Sequence, residues 1–439
     1  MSLGNVPELD VTRRSFMAGL GLAASAIAVG GGVAACSGGS DTGKSETALK
    51  FWSRESYNNG TLQPVLQARV AEFDKANGSK TEVLFLNFVD STQKTQAALA
   101  AGKPPNVGEQ GPDVALQFAA GKSLANLDDL VTMVQPKMVD LQKDAYVRVD
   151  GKNYAQPWYT ETRVLMYHKD LAERAGAQPP TDWAEWIDFT AKLKASGVDG
   201  FVIPGQGAGP GQLFVPLAAA AGGVLLEEDG SVTKNVDPFV AALDHLLKLF
   251  KAGMPTGTPT YKDADADQLF QLKKTGSIWA NGSVLQSAAK TPGLTDNIDA
   301  VLTPPADHGG VTRSFLGGFG LFVFEKSGDQ DKSKALIEYL LEPEWYAKYL
   351  EKSGGFALPV IAETAKQAMF SQGVIGKLVE QQKTAVRYGG TKFGNAPFLG
   401  RAETQLVFAN PVTDVWNGKM RPAEAASSML ENVRKLSKS

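Results

Sequence analysis

From residue 48 onward, short apolar runs alternate along the chain with segments whose apolar residues recur at helical spacing. Residues 48–52 and 81–88 have the pattern of strands, and residues 61–77 and 91–101 have the pattern of amphipathic helices. Residues 113–117 form a further apolar run, which predicts a third, buried strand. Strands that alternate with helices are typical of a parallel or mixed sheet covered on both faces. The pattern therefore predicts an α/β fold.

Polar and aromatic side chains follow each of the three predicted strands. In α/β sheets, ligands bind beyond the carboxyl ends of the strands, on the loops that follow them. We therefore expect a ligand site to draw on the residues at these ends, which are Ser53, Arg54 and Glu55 after the first strand, Asn87 after the second, and Gln117 and Phe118 after the third.

The first 36 residues differ from the rest of the chain. Arg13 and Arg14 precede an apolar run, rich in Gly and Ala, over residues 16–35, and the run ends at Cys36. A run of this length could form one membrane-spanning helix. Its glycines and the small residues before Cys36 instead favour an export signal that is removed. Residues 37–46 are polar and rich in Gly and Ser, so they predict a flexible tether before the folded part.

Composition and charge exclude several classes of protein. The chain has 439 residues, 43% hydrophobic and 21% charged, which predicts two or three globular domains. Its net charge of -3 provides no basic field for nucleic acid. One cysteine excludes an internal disulfide and a thiolate zinc site, and the three histidines, His168, His245 and His308, are widely separated. We expect neither a metal nor a cofactor.

Two motifs at the N-terminus resemble known export sequences. Residues 12–17 (Thr-Arg-Arg-Ser-Phe-Met) resemble a twin-arginine signal, and residues 33–36 (Val-Ala-Ala-Cys) resemble the lipobox of bacterial lipoproteins. The resemblance implies that Cys36 receives lipid and becomes the first residue of the mature protein, which would be anchored to the outer face of the bacterial cell membrane.

Several later motifs occur in the order found in one family. They are a Pro-containing strand at residues 154–159, Tyr-His-Lys-Asp at residues 167–170, Thr-Asp-Trp before a helix at residues 181–183, Ile-Trp-Ala-Asn-Gly at residues 278–282, a Gly-rich stretch at residues 315–320 and Gly-Phe-Ala-Leu-Pro at residues 355–359. In this order they resemble the extracellular solute-binding proteins of ABC importers, in particular the sugar-binding branch that includes the maltodextrin-binding proteins.

The resemblance implies two α/β lobes joined by chain crossings, with a ligand enclosed between them by a hinge motion. The lobes would comprise residues 47–155 with 316–369, and residues 156–315 with 370–439. Gly317, Gly318 and Gly320 would be hinge or close-approach positions, because Gly tolerates unusual backbone angles. A simple loop or β-bulge at these glycines is the alternative.

A sugar site needs aromatic rings for the C–H faces and carboxylate, amide or guanidinium groups for the hydroxyls. Trp158, Tyr159, Glu161 and Arg163 supply both kinds within six residues. Strand alternation places Trp158 and Glu161 on opposite faces, so only one of them would point into a cleft unless a bulge at Pro157 rotates the strand. By resemblance, Glu161 matches a carboxylate that binds sugar hydroxyls. The alternative is that Trp158 is a core residue and Glu161 pairs with Arg163 on the surface.

Later segments supply the other candidate contacts. Trp279 and Asn281 alternate onto one face of a strand, although core burial of Trp279 is an equal alternative. Residues 205–211 are rich in Gly and predict a cleft-lining loop, followed by Phe214 as an aromatic contact. The predicted ligand-binding residues are Arg54, Glu55, Gln117, Phe118, Trp158, Tyr159, Glu161, Phe214, Trp279, Asn281, Gly317, Gly318, Phe319, Arg387 and Phe398.

The favoured interpretation is the substrate-binding component of an ABC transporter, which captures a carbohydrate, expected to be an oligosaccharide, and delivers it to the membrane permease. No catalytic residue is predicted. The expected partners are the carbohydrate, the permease subunits and, through Cys36, the membrane. We expect a monomer that does not bind nucleic acid.

Three alternatives stay open. A glycerophosphate or glycerophosphodiester ligand would need Arg54, Arg163 or Arg387 in the cleft as bidentate donors. A secreted glycosidase would need two carboxylates at a set separation, for which Glu55 and Glu161 are candidates. A structural or adhesion lipoprotein would show sequence repeats, and no repeat with a period of about 20 to 50 residues is visible.

Overall fold

The strands of the protein lie in two sheets, one large and one small. The structure is a computed structural model, and it describes residues 47–54, 60–140, 147–389 and 396–438. The predicted signal, the tether, Cys36 and Glu55 lie outside the described residues. Within the described ranges the strands are β1 Thr47–Ser53, β2 Ser79–Phe85, β3 Val107–Gln110, β4 Val147–Val149, β5 Lys152–Glu161, β6 Val164–His168, β7 Ser277–Ala280, β8 Ile298–Val301 and β9 Gly317–Val323.

The large sheet has six strands in the order β2-β1-β3-β9-β5-β4. β1 pairs in parallel with β2 and β3, whereas β9 pairs antiparallel with β3 and β5. The small sheet has the order β7-β6-β8, with β6 antiparallel to both neighbours. Because β9 returns from late in the chain to lie between β3 and β5, two separate parts of the sequence build the large sheet.

Helices cover both sheets. They are α1 Gln63–Asn77, α2 Phe88–Ala100, α3 Pro112–Ala120, α4 Asp128–Val134, α5 Lys169–Arg174, α6 Trp183–Ala195, α7 Gly209–Ala220, α8 Asp237–Gly253, α9 Asp263–Gln271, α10 Ser283–Ala288, α11 Gln330–Leu340, α12 Pro343–Lys352, α13 Ala362–Ala365, α14 Gly373–Gln382, α15 Pro397–Thr404, α16 Asn410–Trp416 and α17 Pro422–Ser437.

Each sheet has a hydrophobic core on both of its faces. On the large sheet, Leu321 of β9 packs with Tyr346 of α12 on one face, while the next residue, Phe322, packs with Phe118 of α3 on the other. On the small sheet, Leu165 of β6 belongs to the core of α6, α7, α8, α16 and α17, and its neighbour Met166 packs toward α9 and α14. The prediction of a two-lobed α/β fold is therefore confirmed, whereas the exact division of residues between the lobes stays a prediction.

The predicted start of α6 is confirmed in detail. The side chain of Asp182 accepts a hydrogen bond from the backbone N–H of Glu185, as an N-cap residue does. Trp186, Phe189 and Leu193 follow at helical spacing, and all three are buried. Their burial against the small sheet orients this helix.

The predicted strand over residues 113–117 is wrong. These residues lie in α3, and the third strand of the large sheet is β3, which precedes them. Pro112 stands in the first turn of α3, where proline is favoured because its missing N–H would be unpaired there anyway. A short apolar run does not distinguish a strand from a buried helix. Gln117 and Phe118 are consequently helix residues and do not follow a strand.

Candidate functional site

Two of the chain's crossings between the lobes lie side by side. After β5, Thr162 and Arg163 lead to β6, and Ser314 and Phe315 lead back to β9. The Thr162 hydroxyl donates to the carbonyl oxygen of Phe315 at 2.9 Å, and the Ser314 hydroxyl donates to the carbonyl oxygen of Arg163 at 2.7 Å. These hydrogen bonds hold the two crossings next to each other.

Two glycines allow β9 to approach β5 closely at this point. Gly318 has φ of 126°, in the region that L side chains rarely adopt. A Cβ atom there would overlap the backbone of Tyr159 and Thr160, and a Cβ at Gly317 would overlap the carboxylate of Glu161. The predicted close approach is confirmed, while the hinge motion stays a prediction.

The strand β5 contains the irregularity that Pro157 suggested. Its pairing with β9 shifts register between Pro157 and Tyr159. Trp158 is 0% exposed, stacks on Trp345 at a centroid distance of 6.3 Å, and accepts a hydrogen bond on its carbonyl oxygen from the Tyr346 hydroxyl at 2.5 Å. Trp158 is thus a core residue, as the alternative interpretation had it, because the bulge turns it toward α12.

Glu161 lies where the two sheets meet and has polar partners from both sides. Nη2 of Arg163 donates to its Oε1 at 3.2 Å, and Nδ2 of Asn281, just beyond β7, donates to its Oε2. The side chains of Arg163 and Glu161 are 14% and 12% exposed, so they are partly accessible. Asn281 in turn accepts hydrogen bonds from the backbone and the hydroxyl of Ser283, which orients its amide nitrogen toward Glu161. The structure brings together the predicted pair Glu161 and Asn281.

Trp279 packs against Arg163 of this group and does not offer an exposed ring to a sugar. Its indole N–H donates to the Thr303 hydroxyl at 2.9 Å, and the guanidinium of Arg163 lies 5.4 Å from its ring centroid. Trp279 is buried in the core of the second lobe. Its ring therefore positions Arg163, and the alternative of core burial holds.

A second polar group lies at the carboxyl ends of β1 and β3. The buried carboxylate of Glu109 accepts hydrogen bonds from the Ser53 hydroxyl at 2.9 Å, the Arg54 backbone N–H at 3.0 Å and the Tyr159 hydroxyl at 3.3 Å. Burial raises the pKa of Glu109, and the hydrogen bond from Arg54 opposes the shift. The guanidinium of Arg54 donates to Oε1 of Gln110 at 2.9 Å. Sequence reasoning missed Glu109 because it placed the third strand six residues too late.

Arg387 and its neighbours form a third polar group. Its guanidinium makes an ion pair with Asp113 of α3. The next residue, Tyr388, donates its hydroxyl hydrogen to Oε1 of Glu403 on α15 at 3.1 Å, and Gln212 of α7 donates to the same oxygen at 3.3 Å. Arg387 was predicted, whereas Asp113 and Glu403 were not. A helical assignment of residues 112–120 would have exposed the acidic residue at the start of α3 as a candidate.

Four other predicted contact residues lie away from the group around Glu161. Phe118 packs with Phe322 and Phe324 inside a core, because it lies on the buried face of α3. Phe214 is also a core residue, since residues 209–220 form α7 instead of a loop. Phe398 packs partly buried against the same core. Gln117 faces α15, and neither it nor these phenylalanines joins the group around Glu161.

A small cavity lies along β5 and β9 of the large sheet. Its volume is about 20 Å³, and its lining includes Tyr159, Thr160, Gly317, Phe319 and Arg387. A cavity of this size holds about one water molecule. The predicted residues Tyr159, Gly317, Gly318, Phe319 and Arg387 therefore share one space, although it is too small for a sugar ring in this arrangement.

None of the helices in the described ranges is both long and apolar enough to cross a bilayer. In the same part of the chain, no group of three or more His, Cys, Asp or Glu side chains is arranged to hold a metal ion.

The chain belongs to the family of bacterial extracellular solute-binding proteins, which it matches over residues 68–375. This family defines its class, an extracytoplasmic binding protein of solute transport. Among its relatives, the diacetylchitobiose-binding protein DasA of Streptomyces coelicolor is 28% identical over 357 residues, which are 78% of this chain and 81% of DasA. The sn-glycerol-3-phosphate-binding periplasmic protein UgpB of Pectobacterium atrosepticum is 26% identical over 64% of this chain and 65% of UgpB. The chain spans about half, 53%, of the binding proteins of Brucella that it matches.

Solved structures share the fold. The acarbose-binding GacH receptor of Streptomyces glaucescens has a TM-score of 0.76 at 20% identity, covering 90% of this chain and 99% of that one. A solute-binding protein of Thermotoga lettingae, bound to tagatose, has a TM-score of 0.75 at 22% identity, covering 89% and 100%. At these identities the likeness supports the fold alone.

Proposed function

We propose that this protein captures a carbohydrate, expected to be an oligosaccharide, between its two lobes and delivers it to the permease of an ABC importer without turning it over. The observation that carries the proposal is the Glu161 carboxylate at the junction of the sheets, beside Arg163 and Asn281. Carboxylate, guanidinium and amide groups are the planar partners that sugar hydroxyls require. The relative DasA, whose name records diacetylchitobiose binding, supports the same ligand class.

The remaining contacts of the proposed site come from the small cavity that β4, β5, β9 and Arg387 line. The rings of Tyr159 and Phe319, which are buried in this arrangement, line it together with the donor side chain of Arg387. The cavity of about 20 Å³ would have to enlarge to admit a sugar, so ligand entry requires the lobes to part about the crossings near Gly317 and Gly318. The predicted hinge belongs to this proposal.

A glycerophosphate ligand is the second candidate, because the UgpB relatives carry that specificity in their name. Two observations weigh against it. Arg163 and Arg387 already pair with Glu161 and Asp113, and Arg54 donates to Gln110. A phosphate would have to displace a carboxylate to obtain the guanidinium of Arg163 or Arg387, whereas sugar hydroxyls can bind to both members of each of these pairs.

A thermal-shift screen of the purified protein separates the two ligands. The panel contains N,N′-diacetylchitobiose, maltose, maltotetraose, tagatose and glycerol 3-phosphate. A ligand at 100 times its dissociation constant adds about 2.7 kcal/mol to the free energy of unfolding. We expect a sugar to raise the melting temperature. If only glycerol 3-phosphate raises the melting temperature, the carbohydrate proposal is wrong and the glycerophosphate ligand takes its place.

The anchoring of the protein is a separate part of the proposal. We propose that the twin-arginine signal exports the chain and that Cys36 then carries the lipid that holds it at the membrane. Cys36→Ser should release the protein from the membrane fraction, and replacing Arg13 and Arg14 by Lys should block export. If the Cys36→Ser protein stays in the membrane fraction, the apolar run itself is the anchor.

A further inference from the structure

A cluster of ionisable side chains away from Glu161 joins the two lobes. α3, which packs on β4, β5 and β9 of the large sheet, contacts α15, whose Leu399 belongs to the core of the second lobe. The approach is close, because a Cβ atom at Gly400 would lie 2.8 Å from Nε2 of Gln117. Asp113 of α3 and Arg387 form their ion pair at the same place. These contacts require the lobes to be closed on each other.

Glu403 lies one turn beyond Gly400 on α15. Burial, reinforced by the negative charge of Asp113 and opposed by the positive charge of Arg387, raises the pKa of Glu403 to about 7. Its hydrogen bonds from Tyr388 and Gln212 remain possible when the carboxyl group is protonated, because each uses an oxygen of Glu403 as acceptor.

The charges around Glu403 are not balanced. α3 contributes Asp113, the segment after α14 contributes Arg387 and Tyr388, and α7 contributes the uncharged Gln212. α17 also packs against α15, and its buried residues are apolar. With Glu403 ionised, the negative charges of two carboxylates face one guanidinium in a half-buried region, which is unfavourable. Protonation of Glu403 removes the excess negative charge.

We propose that Glu403 couples closure of the lobes to proton uptake, so that the closed, ligand-holding state is favoured as the pH falls from about 8 to about 6. The proposal rests on the proposed function only where it concerns the ligand. When the lobes part, Asp113 moves away with α3 and the half-buried Glu403 becomes more exposed to water. The carboxyl group then returns toward the ordinary range of Glu, about 4.3.

The direction of the effect follows from proton linkage. Between about 4.3 and about 7, the closed state holds a proton that the open state releases, so lower pH favours closure. The advantage is fully present below the pKa of the open state and is lost as the pH rises through the higher pKa of the closed state. Between pH 8 and pH 6 the closed-to-open ratio should increase about tenfold.

The test follows lobe separation without any ligand. Spin labels are placed on cysteines introduced at Lys75 of α1 and Glu173 of α5, both exposed, in the full chain carrying Cys36→Ser. Pulsed EPR distances should shift toward the short population at pH 6. Glu403→Gln should abolish this pH response, because the side chain keeps an acceptor and loses its titration. Glu351→Gln, at an exposed position of α12, should keep the response.

Two results would overturn the coupling: identical distance distributions at pH 6 and pH 8 in the parent protein, or an unchanged pH response in Glu403→Gln. Should Glu403→Gln fail to fold, Asp113→Asn takes its place. That change removes the charge that raises the pKa of Glu403, so the midpoint of the response should move to lower pH. An unmoved midpoint would contradict the proposal.

A calorimetric titration with N,N′-diacetylchitobiose separates this proposal from the proposed function. The affinity should be about tenfold higher at pH 6 than at pH 8 in the parent protein and independent of pH in Glu403→Gln. A pH-dependent EPR distance with no binding of any sugar of the panel would contradict the proposed function and leave the coupling intact. Sugar binding with pH-independent affinity and distance would contradict the coupling alone.

Discussion

Glu161 combines two features that a ligand-binding carboxylate needs. Its position is fixed by Arg163 and Asn281, and part of its surface is accessible beside the cavity. The absence of a side chain at Gly317 leaves room for the carboxylate against β9. A charged acceptor held in this way does not have to be ordered again when a hydroxyl group binds.

Glu161→Gln should therefore weaken sugar binding by about 1.5 to 3 kcal/mol, the range for hydrogen bonds to charged groups. The free energy of unfolding should change less, because the side chain keeps its size. Calorimetry with the sugar found by thermal shift measures the affinity, and Glu351→Gln serves as the matched control. An unchanged affinity in Glu161→Gln would remove this residue from the site.

Trp158 should behave as a core residue. Its ring is 0% exposed and stacks among Trp345, Tyr346 and Tyr349. Trp158→Ala should lower the free energy of unfolding by about 3 to 5 kcal/mol, as large-to-small changes in cores do. Urea denaturation measures this. If the Trp158→Ala variant has normal stability but binds sugar weakly, Trp158 belongs to the ligand site and the core assignment is wrong.

At the scale of elements, the crossing of β5 and β9 depends on Gly318. Gly318→Ala should destabilise the fold by about 1 to 3 kcal/mol, because the side chain meets both an unfavourable φ and the backbone of β5. Gly320→Ala is the control. A Cβ atom at Gly320 would lie 3.3 Å from the carbonyl oxygen of Gln156, which requires only a small shift, and its φ is not among the positive values, so we expect a smaller loss of stability. Equal urea midpoints for the two variants would contradict the account of this crossing.

Elements with a local chemical signal were predictable from the sequence. Asp182 indicated the start of α6, and Pro157 indicated the irregularity in β5. The prediction for residues 113–117 failed because a short apolar run has no clear period, while Pro112 and the packing between β4, β9 and α15 favour a helix. That error also concealed Glu109, which is recognisable as a site residue only when β3 is placed correctly.

The same limit applies to the site. Residue types and motif order indicated Glu161, Asn281 and Arg387, since each lies close to a recognisable motif. The aromatic candidates were less predictable, because an aromatic ring can pack in a hydrophobic core as well as against a sugar. Phe118, Phe214 and Trp279 pack in cores. Glu403 had no sequence signal. Its role depends on Asp113 and Arg387, which the fold brings to it from distant parts of the chain.

At the scale of the whole molecule, the chain crossings, the Asp113–Arg387 ion pair and the Glu161–Asn281 hydrogen bond connect the lobes at separate places. The crossings are covalent and persist when the lobes part, whereas the non-covalent contacts must break. A ligand that binds both walls would replace the lost contacts and stabilise the closed state. This is how the structure would convert sugar binding into a shape that a permease can recognise.

The most direct test of this account is the distance between spin labels at positions 75 and 173 during a titration with the panel sugars at constant pH. We predict that at least one sugar shortens the distance saturably and is recovered unchanged. Glu161→Gln should shift this titration to higher sugar concentration. A distance that no sugar alters, but that glycerol 3-phosphate shortens, would contradict it.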